Sequence, residues 1–198
     1  GQLQDISPIS SCKELIFLEL DWSAVKDFTP LVGCTSLEDL KSRGKFVLGL
    51  DDSFPPMGFR DENNEIVGVD IDLAAEVCKR LGVELVVQPI DWDSKELELT
   101  SGKIDCIWNG MTVTEERIEA MFLSKPYLDN RQVVIVEEGS KIASVSDLAG
   151  KTVGLQKGSS AREAFDANPI ASEVAQVVEY EDNVDAFLDL QAGRIDAL

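Results

Sequence analysis

Trp108-Asn109-Gly110-Met111-Thr112, followed by Thr114 and Arg117, joins an apolar run to a Glu-rich helical pattern. A glycine such as Gly110 lets a ligand come close to the backbone. A helix N-terminus favours an anion, and an Arg one turn in grips a carboxylate with two parallel bonds. Thr112 and Thr114 add hydroxyls at that helix start. Two other short stretches carry complementary chemistry, Asp51-Asp52-Ser53-Phe54 and Asp91-Trp92. Asp51 suits an ammonium group, and Phe54 and Trp92 suit apolar walls. Together these residues describe a pocket for a small zwitterion, with its carboxylate on Arg117, its ammonium near carbonyls and an acid, and its side chain between rings. Each also has a plainer reading. Arg117 pairs in solvent with Glu115 or Glu116, Thr114 caps the helix, Trp108 and Met111 fill core, and Asp52 makes a turn.

The surrounding pattern has to bring these stretches together. Residues 46–50 read as a strand. Residues 68–82 read as a helix, with Asp70 as N-cap, Gly82 as C-cap and Leu73, Ala74, Val77, Cys78 and Leu81 as its apolar stripe. Residues 84–90 read as a strand, 94–100 as a short helix closed by Gly102, and 104–108 as a third strand. Alternating strands and helices predict an α/β fold with a mainly parallel sheet. Ligands of such sheets gather past the carboxyl ends of the strands, which is where all three stretches lie.

Composition narrows the function further. Acids outnumber bases 37 to 18, for a net charge of −19, so phosphate backbones are repelled and nucleic acid is excluded as a partner. No apolar run approaches the roughly 18 residues of a membrane span. His is absent, which removes His triads and His metal sites. The four cysteines, Cys12, Cys34, Cys78 and Cys106, form no CxxC pair; Cys78 and Cys106 fall on apolar patterns and read as buried thiols. No metal, cofactor or catalytic residue is expected.

Two repeats run through the sequence. "DISPISSCKELIFL" and "DFTPLVGCTSLEDL" align Asp5 with Asp27, Pro8 with Pro30, Cys12 with Cys34, Leu15 with Leu37 and Leu18 with Leu40. Their period falls within the roughly 20–29 residues of leucine-rich repeats, which residues 1–43 resemble. The second repeat pairs "GKFVLGLDDS" with "GKTVGLQKGS", and "LTSGKIDCI" with "LQAGRIDAL", in the same order. It predicts two similar α/β halves.

From about Ser36 the sequence resembles bacterial solute-binding proteins of the polar amino-acid class, the extracytoplasmic receptors of ABC transporters. The matching stretches are "SLEDLKSRGKFVLGLDDSFPPMGF", "VGVDIDLAAEVCKRLG", "IDCIWNGMTVTEER", "MFLSKPYL", "DLAGKTVGLQKGSS" and "LQAGRID". The resemblance implies a periplasmic-binding-protein-like fold, with lobe 1 over 44–127, lobe 2 over 128–198 and a hinge crossing near Lys125-Pro126-Tyr127. It implies that Arg117 binds the ligand carboxylate and that Thr112 contacts the ligand by hydroxyl and amide. Asn109 and Gly110 would offer a carbonyl to the ammonium. Asp51, Phe54 and Trp92 would touch the side chain, and Gln156, Ser159 and Ser160 would supply the lobe 2 loop. The implied function is capture of a free amino acid for a transporter permease, not enzymatic conversion.

The family pattern continues for several elements past "GRID", so the second lobe is expected to be incomplete and the sequence truncated at its C-terminus. The leucine-rich-repeat segment is also foreign to the family. Alternative functions are the amino-acid-sensing outer domain of a signalling receptor, or a leucine-rich-repeat adhesion protein with a vestigial binding domain. The carboxylate assignment gives a direct test. Arg117→Ala is expected to abolish amino-acid binding with the fold retained, and Arg117→Lys to lose most of it, because Lys lacks the planar fork; calorimetric titration reads both.

Overall fold

A computed structural model describes residues 35–198. Of residues 1–43, the segment expected to resemble leucine-rich repeats, those up to residue 34, with Cys12 and Cys34, lie outside the described residues. The protein divides into two compact units.

The first unit holds the described residues up to Phe46, together with Ala74–Val86 and Val113–Asp129. Helix α1 (Thr35–Arg43) ends at Gly44, whose amide donates to the Leu40 carbonyl at 3.1 Å. Most of helix α2 (Val69–Leu81) belongs here and turns Ala74 and Cys78 inward, with Val77 and Leu81 partly covered. Gly82, at φ 72°, closes it, and the Val83 amide donates back to the Cys78 carbonyl at 3.1 Å. Helix α4 (Glu115–Ala120) completes this unit, capped by Thr114, whose hydroxyl accepts from the Arg117 amide at 3.3 Å.

The second unit holds Val47–Leu73, Val87–Thr112 and Asn130–Leu198. Strand β1 (Lys45–Leu50) ends here, between β5 (Glu84–Pro89) and β6 (Cys106–Ile107). β1 and β6 run parallel, with Leu48 opposite Cys106 and Gly49 opposite Ile107. Leu48 and Leu50 are fully buried, each contributing about 1.5–3 kcal/mol. A small antiparallel sheet follows β1, made of β2 (Ser53–Phe54), β3 (Gly58–Arg60) and β4 (Ile66–Val67). A 3-10 turn over Trp92–Ser94 leads into helix α3 (Lys95–Thr100). Strands β7 (Thr152–Gln156) and β8 (Gln176–Tyr180) pair in parallel, flanked by helices α5 (Ser160–Asp166) and α6 (Asn183–Gln191). Leu148, Val153, Leu155, Ile170 and Ala197 form the core beneath them.

Three expectations change. Asp70 is not a cap but the second residue of α2. The amides of Val69 and Asp70 donate to the carbonyls of Pro56 and Met57 at 3.0 Å each, so neighbouring backbone does the capping. Gly68 makes this possible, because a Cβ there would stand 2.3 Å from the Met57 oxygen. Leu73 leaves the apolar stripe and is exposed. The third strand contracts to Cys106–Ile107, although Ile104 is buried.

The internal repeat is visible atom by atom. The Asp105 carboxylate accepts from the Val47 amide at 2.8 Å, while its own amide donates to the Val47 carbonyl at 2.8 Å. Asp196 does the same with Thr152, at 2.8 Å in both directions. Gly49 lies against Ile104, and Gly154 against Ile195; in each case an added Cβ would meet the isoleucine Cδ1 at 2.5 Å. The equivalent residues are therefore Val47 and Thr152, Gly49 and Gly154, Asp51 and Gln156. Overlaying the two stretches from their shared Gly-Lys sets Gly49 against Leu155, one residue out of step.

Asp105→Ala leaves a part-buried Val47 amide without its carboxylate. A loss of about 1.5–3 kcal/mol is expected, with Asp105→Asn losing less, both read from the urea unfolding midpoint.

Candidate functional site

At the carboxyl ends of β1, β5 and β8 the second unit has a cavity of about 330 Å³. Asp51, Asp52, Asp91, Glu181 and Asp182 line it, with Ser53, Ile90 and Trp92. Such a volume is in the range of small-molecule sites, roughly 300–1,000 Å³.

The five acids differ in how they are held. Asp52 pairs with Arg60 at 2.5 Å, and Glu181 pairs with Lys157. Asp91 accepts from the Asp93 amide at 3.1 Å, and Asp182 caps α6 by accepting from the Asp185 amide at 2.8 Å. Asp51 is 6% exposed and, among the described residues, meets two neutral donors, the Ser53 amide at 2.8 Å and the Gln156 side-chain amide at 2.7 Å. Burial pushes its carboxyl above the ordinary 3.8; the Ser53 and Gln156 bonds oppose that, while the nearby charges of Asp182 and Asp52 add to it.

Gln156 is oriented by its surroundings. Its Oε1 accepts from Asn183 Nδ2 at 2.7 Å, and its Nε2 donates both to Asp51 and to the Glu181 carbonyl, the latter at 2.9 Å. The next turn fixes two serines. The Ser159 hydroxyl donates to the Gln156 carbonyl at 2.8 Å and accepts from the Arg162 amide at 3.2 Å, capping α5. The Ser160 hydroxyl donates to Thr112 Oγ1 at 3.0 Å, and Thr112 Oγ1 also accepts from Asn130 Nδ2 at 2.6 Å.

Within the second unit the structure thus links Asp51 to Gln156 and Thr112 to Ser160, and sets Trp92 in the same cavity wall as Asp51. Phe54 and Met57 pack on Gly110. At φ 57°, a Cβ on Gly110 would meet Met57 Cγ at 3.2 Å and Phe54 Cε1 at 3.6 Å, so the glycine answers to packing. Asn109 is 3% exposed, and its Oδ1 has no hydrogen-bond partner among the described residues; the same holds for Trp108 Nε1. Arg117 belongs to the first unit, where it is buried, which removes the reading of a solvated ion pair with Glu115 or Glu116. Its burial also adds a folding cost to Arg117→Ala.

The two described cysteines, Cys78 and Cys106, are buried free thiols. Burial raises Cys78, and burial with the Asp105 charge pushes Cys106 up to about 12.

Residues 46–183 match the model of the bacterial extracellular solute-binding proteins, family 3. The chain belongs to that family. It is similar to the L-cystine-binding protein TcyJ of Escherichia coli K12, 32% identical over 82% of this chain and 60% of that protein. It is similar also to the ABC transporter arginine-binding protein 1 of the same organism, 35% identical over 78% of this chain and 62% of that protein. Among solved structures, a histidine-bound substrate-binding protein of an ABC uptake transporter from Streptococcus pneumoniae superposes with a TM-score of 0.78. It is 41% identical, over 81% of this chain and 67% of that one. The chain spans about three fifths of the length of the curated relatives it matches. Among the described residues no helix is long and apolar enough to cross a membrane.

Three cavity residues outside the stretches singled out in the sequence, Ile90, Glu181 and Asp182, and the orienting Asn183 are additions of the structure. Glu181 and Asp182 stand just past the carboxyl end of β8, so the strand-end rule applied to the second half of the repeat finds them.

The raised pKa of Asp51 has a pH signature. The folded protein keeps that proton to higher pH than the unfolded state does, so ionisation costs stability as pH climbs above 3.8. Asp51→Asn, which has no such cost, should gain stability relative to the unsubstituted protein between about pH 3.5 and about pH 7. Urea unfolding of both proteins across that range measures the difference; a constant difference contradicts the assignment.

Proposed function

We propose that the protein captures a free α-amino acid outside the cytoplasm for an ABC transporter permease, and that the ligand side chain is cationic. The observation that carries the second part is Asp51, a buried carboxylate in the cavity wall with neutral donors and negative neighbours. Buried charge is stable when paired, and a ligand ammonium or guanidinium supplies the missing opposite charge. Trp92 offers an apolar, cation-compatible wall. A relative named for arginine binds a ligand of this chemistry. Arg117 takes the carboxylate, Asn109 and Gly110 offer a carbonyl to the α-ammonium, and Phe54 and Trp92 flank the side chain. Thr112, Gln156, Ser159 and Ser160 complete the site, between lobes at 44–127 and 128–198.

A thermal-shift and calorimetric comparison of L-arginine, L-lysine, L-histidine, L-cystine and L-glutamate tests the reading. L-arginine or L-lysine should bind tightest, stabilising by about 2.7 kcal/mol at ~100 times its dissociation constant. Asp51→Asn should weaken that ligand by at least about 2 kcal/mol, some thirtyfold. Tighter binding of L-glutamate, or an unchanged affinity in Asp51→Asn, overturns the cationic assignment.

A further inference from the structure

The first residue of α3 is a lysine that nothing in the site so far uses. Lys95 is 4% exposed, and a buried ammonium persists only where polar groups meet it. Its Nζ donates to the Trp92 carbonyl at 3.1 Å and to the Gly158 carbonyl at 3.0 Å, and lies 5.1 Å from the centre of the Trp92 ring. Gly158 is 63 residues away in sequence. It sits in the turn between Gln156 and Ser159, so one ammonium touches both the ring wall and the serine turn. That junction is tight. Gly158 has φ 60°, and a Cβ there would stand 2.8 Å from Asp93 Oδ1 and 3.4 Å from Lys95 Nζ. Glycine suits this position, because φ 60° and the Asp93 Cα at 3.1 Å both work against a side chain.

We propose that Lys95 is a positioning residue of the binding site, its ammonium clasped by two carbonyls so that the turn bearing Trp92 and the turn bearing Ser159 and Ser160 are held at a fixed distance. Bonds from a charged donor are stronger than neutral ones, which suits a spacer. Lys95 touches no ligand in this role. It acts by ordering the Gly158 turn before the ligand arrives, and this reduces what binding must order. The consequence for affinity rests on the amino-acid-binding reading above; the ordering of the turn does not.

Lys95→Met separates this role from plain packing. Replacing a buried charge by an apolar side chain of similar length is often neutral or stabilising for the fold as a whole. The expected pattern is therefore divergent. Global stability in urea stays level or rises, while hydrogen exchange of the backbone amides at 157–161 quickens at least about tenfold without ligand, and that of 177–180 in β8 does not. L-arginine affinity falls at least about tenfold. Lys95→Gln, which keeps a donor without the charge, serves if the methionine variant does not fold. Unchanged exchange at 157–161, or a uniform rise across the protein, overturns the proposal. If the unsubstituted protein binds no L-arginine, the cationic-ligand reading fails, and the exchange pattern still decides the role of Lys95.

Discussion

Much of the candidate site depends on one contact, the hydrogen bond from the Gln156 amide to the Asp51 carboxylate. It joins the carboxyl ends of β1 and β7, which are equivalent positions of the internal repeat. An amide at that place satisfies one carboxylate oxygen without cancelling its charge. A lysine or arginine would have closed an internal salt bridge and cancelled the charge of Asp51. Asn183 and the Glu181 carbonyl hold the amide in the orientation that turns its donor to Asp51. The setting of the Asp51 carboxylate thus depends in part on Gln156 and Asn183, neither of which lines the cavity.

The repeat explains how such a contact arises. Asp105 and Asp196 each bind both backbone groups, amide and carbonyl, of one residue of the neighbouring strand, and Gly49 and Gly154 each admit an isoleucine side chain where a Cβ would collide. These two devices fix the register of β1 against β6 and of β7 against the segment at Ala197. Fixing register fixes which residue stands at each strand end, because a slip of one residue turns every side chain to the other face.

The strands, helices and closing glycines were largely legible, because they rest on short-range patterns: β1, α2, β5 and α3 fall within a residue or two of expectation. The strand-end rule also put Asp51 and Trp92 at a rim, and the structure sets both in one cavity wall. Other features were illegible for identifiable reasons. The cap of α2 comes from backbone at Pro56 and Met57, and no residue type announces a carbonyl. Leu73 follows the helical period but is exposed, since the period alone does not say where the neighbouring elements end. The burial of Arg117, beside two glutamates in sequence, depends on tertiary context. Lys95 reads as an ordinary exposed lysine at a helix start, since its second carbonyl lies 63 residues on.

Thr112 carries a last consequence. Its oxygen accepts from both Ser160 and Asn130, so its two lone pairs are occupied. A hydroxyl in water samples all rotations about its C–O bond; this one has a single direction left for its proton. The Thr112 hydroxyl is therefore set in one orientation, and Ser160 and Asn130, 48 and 18 residues away in sequence, are tied together through a single oxygen atom.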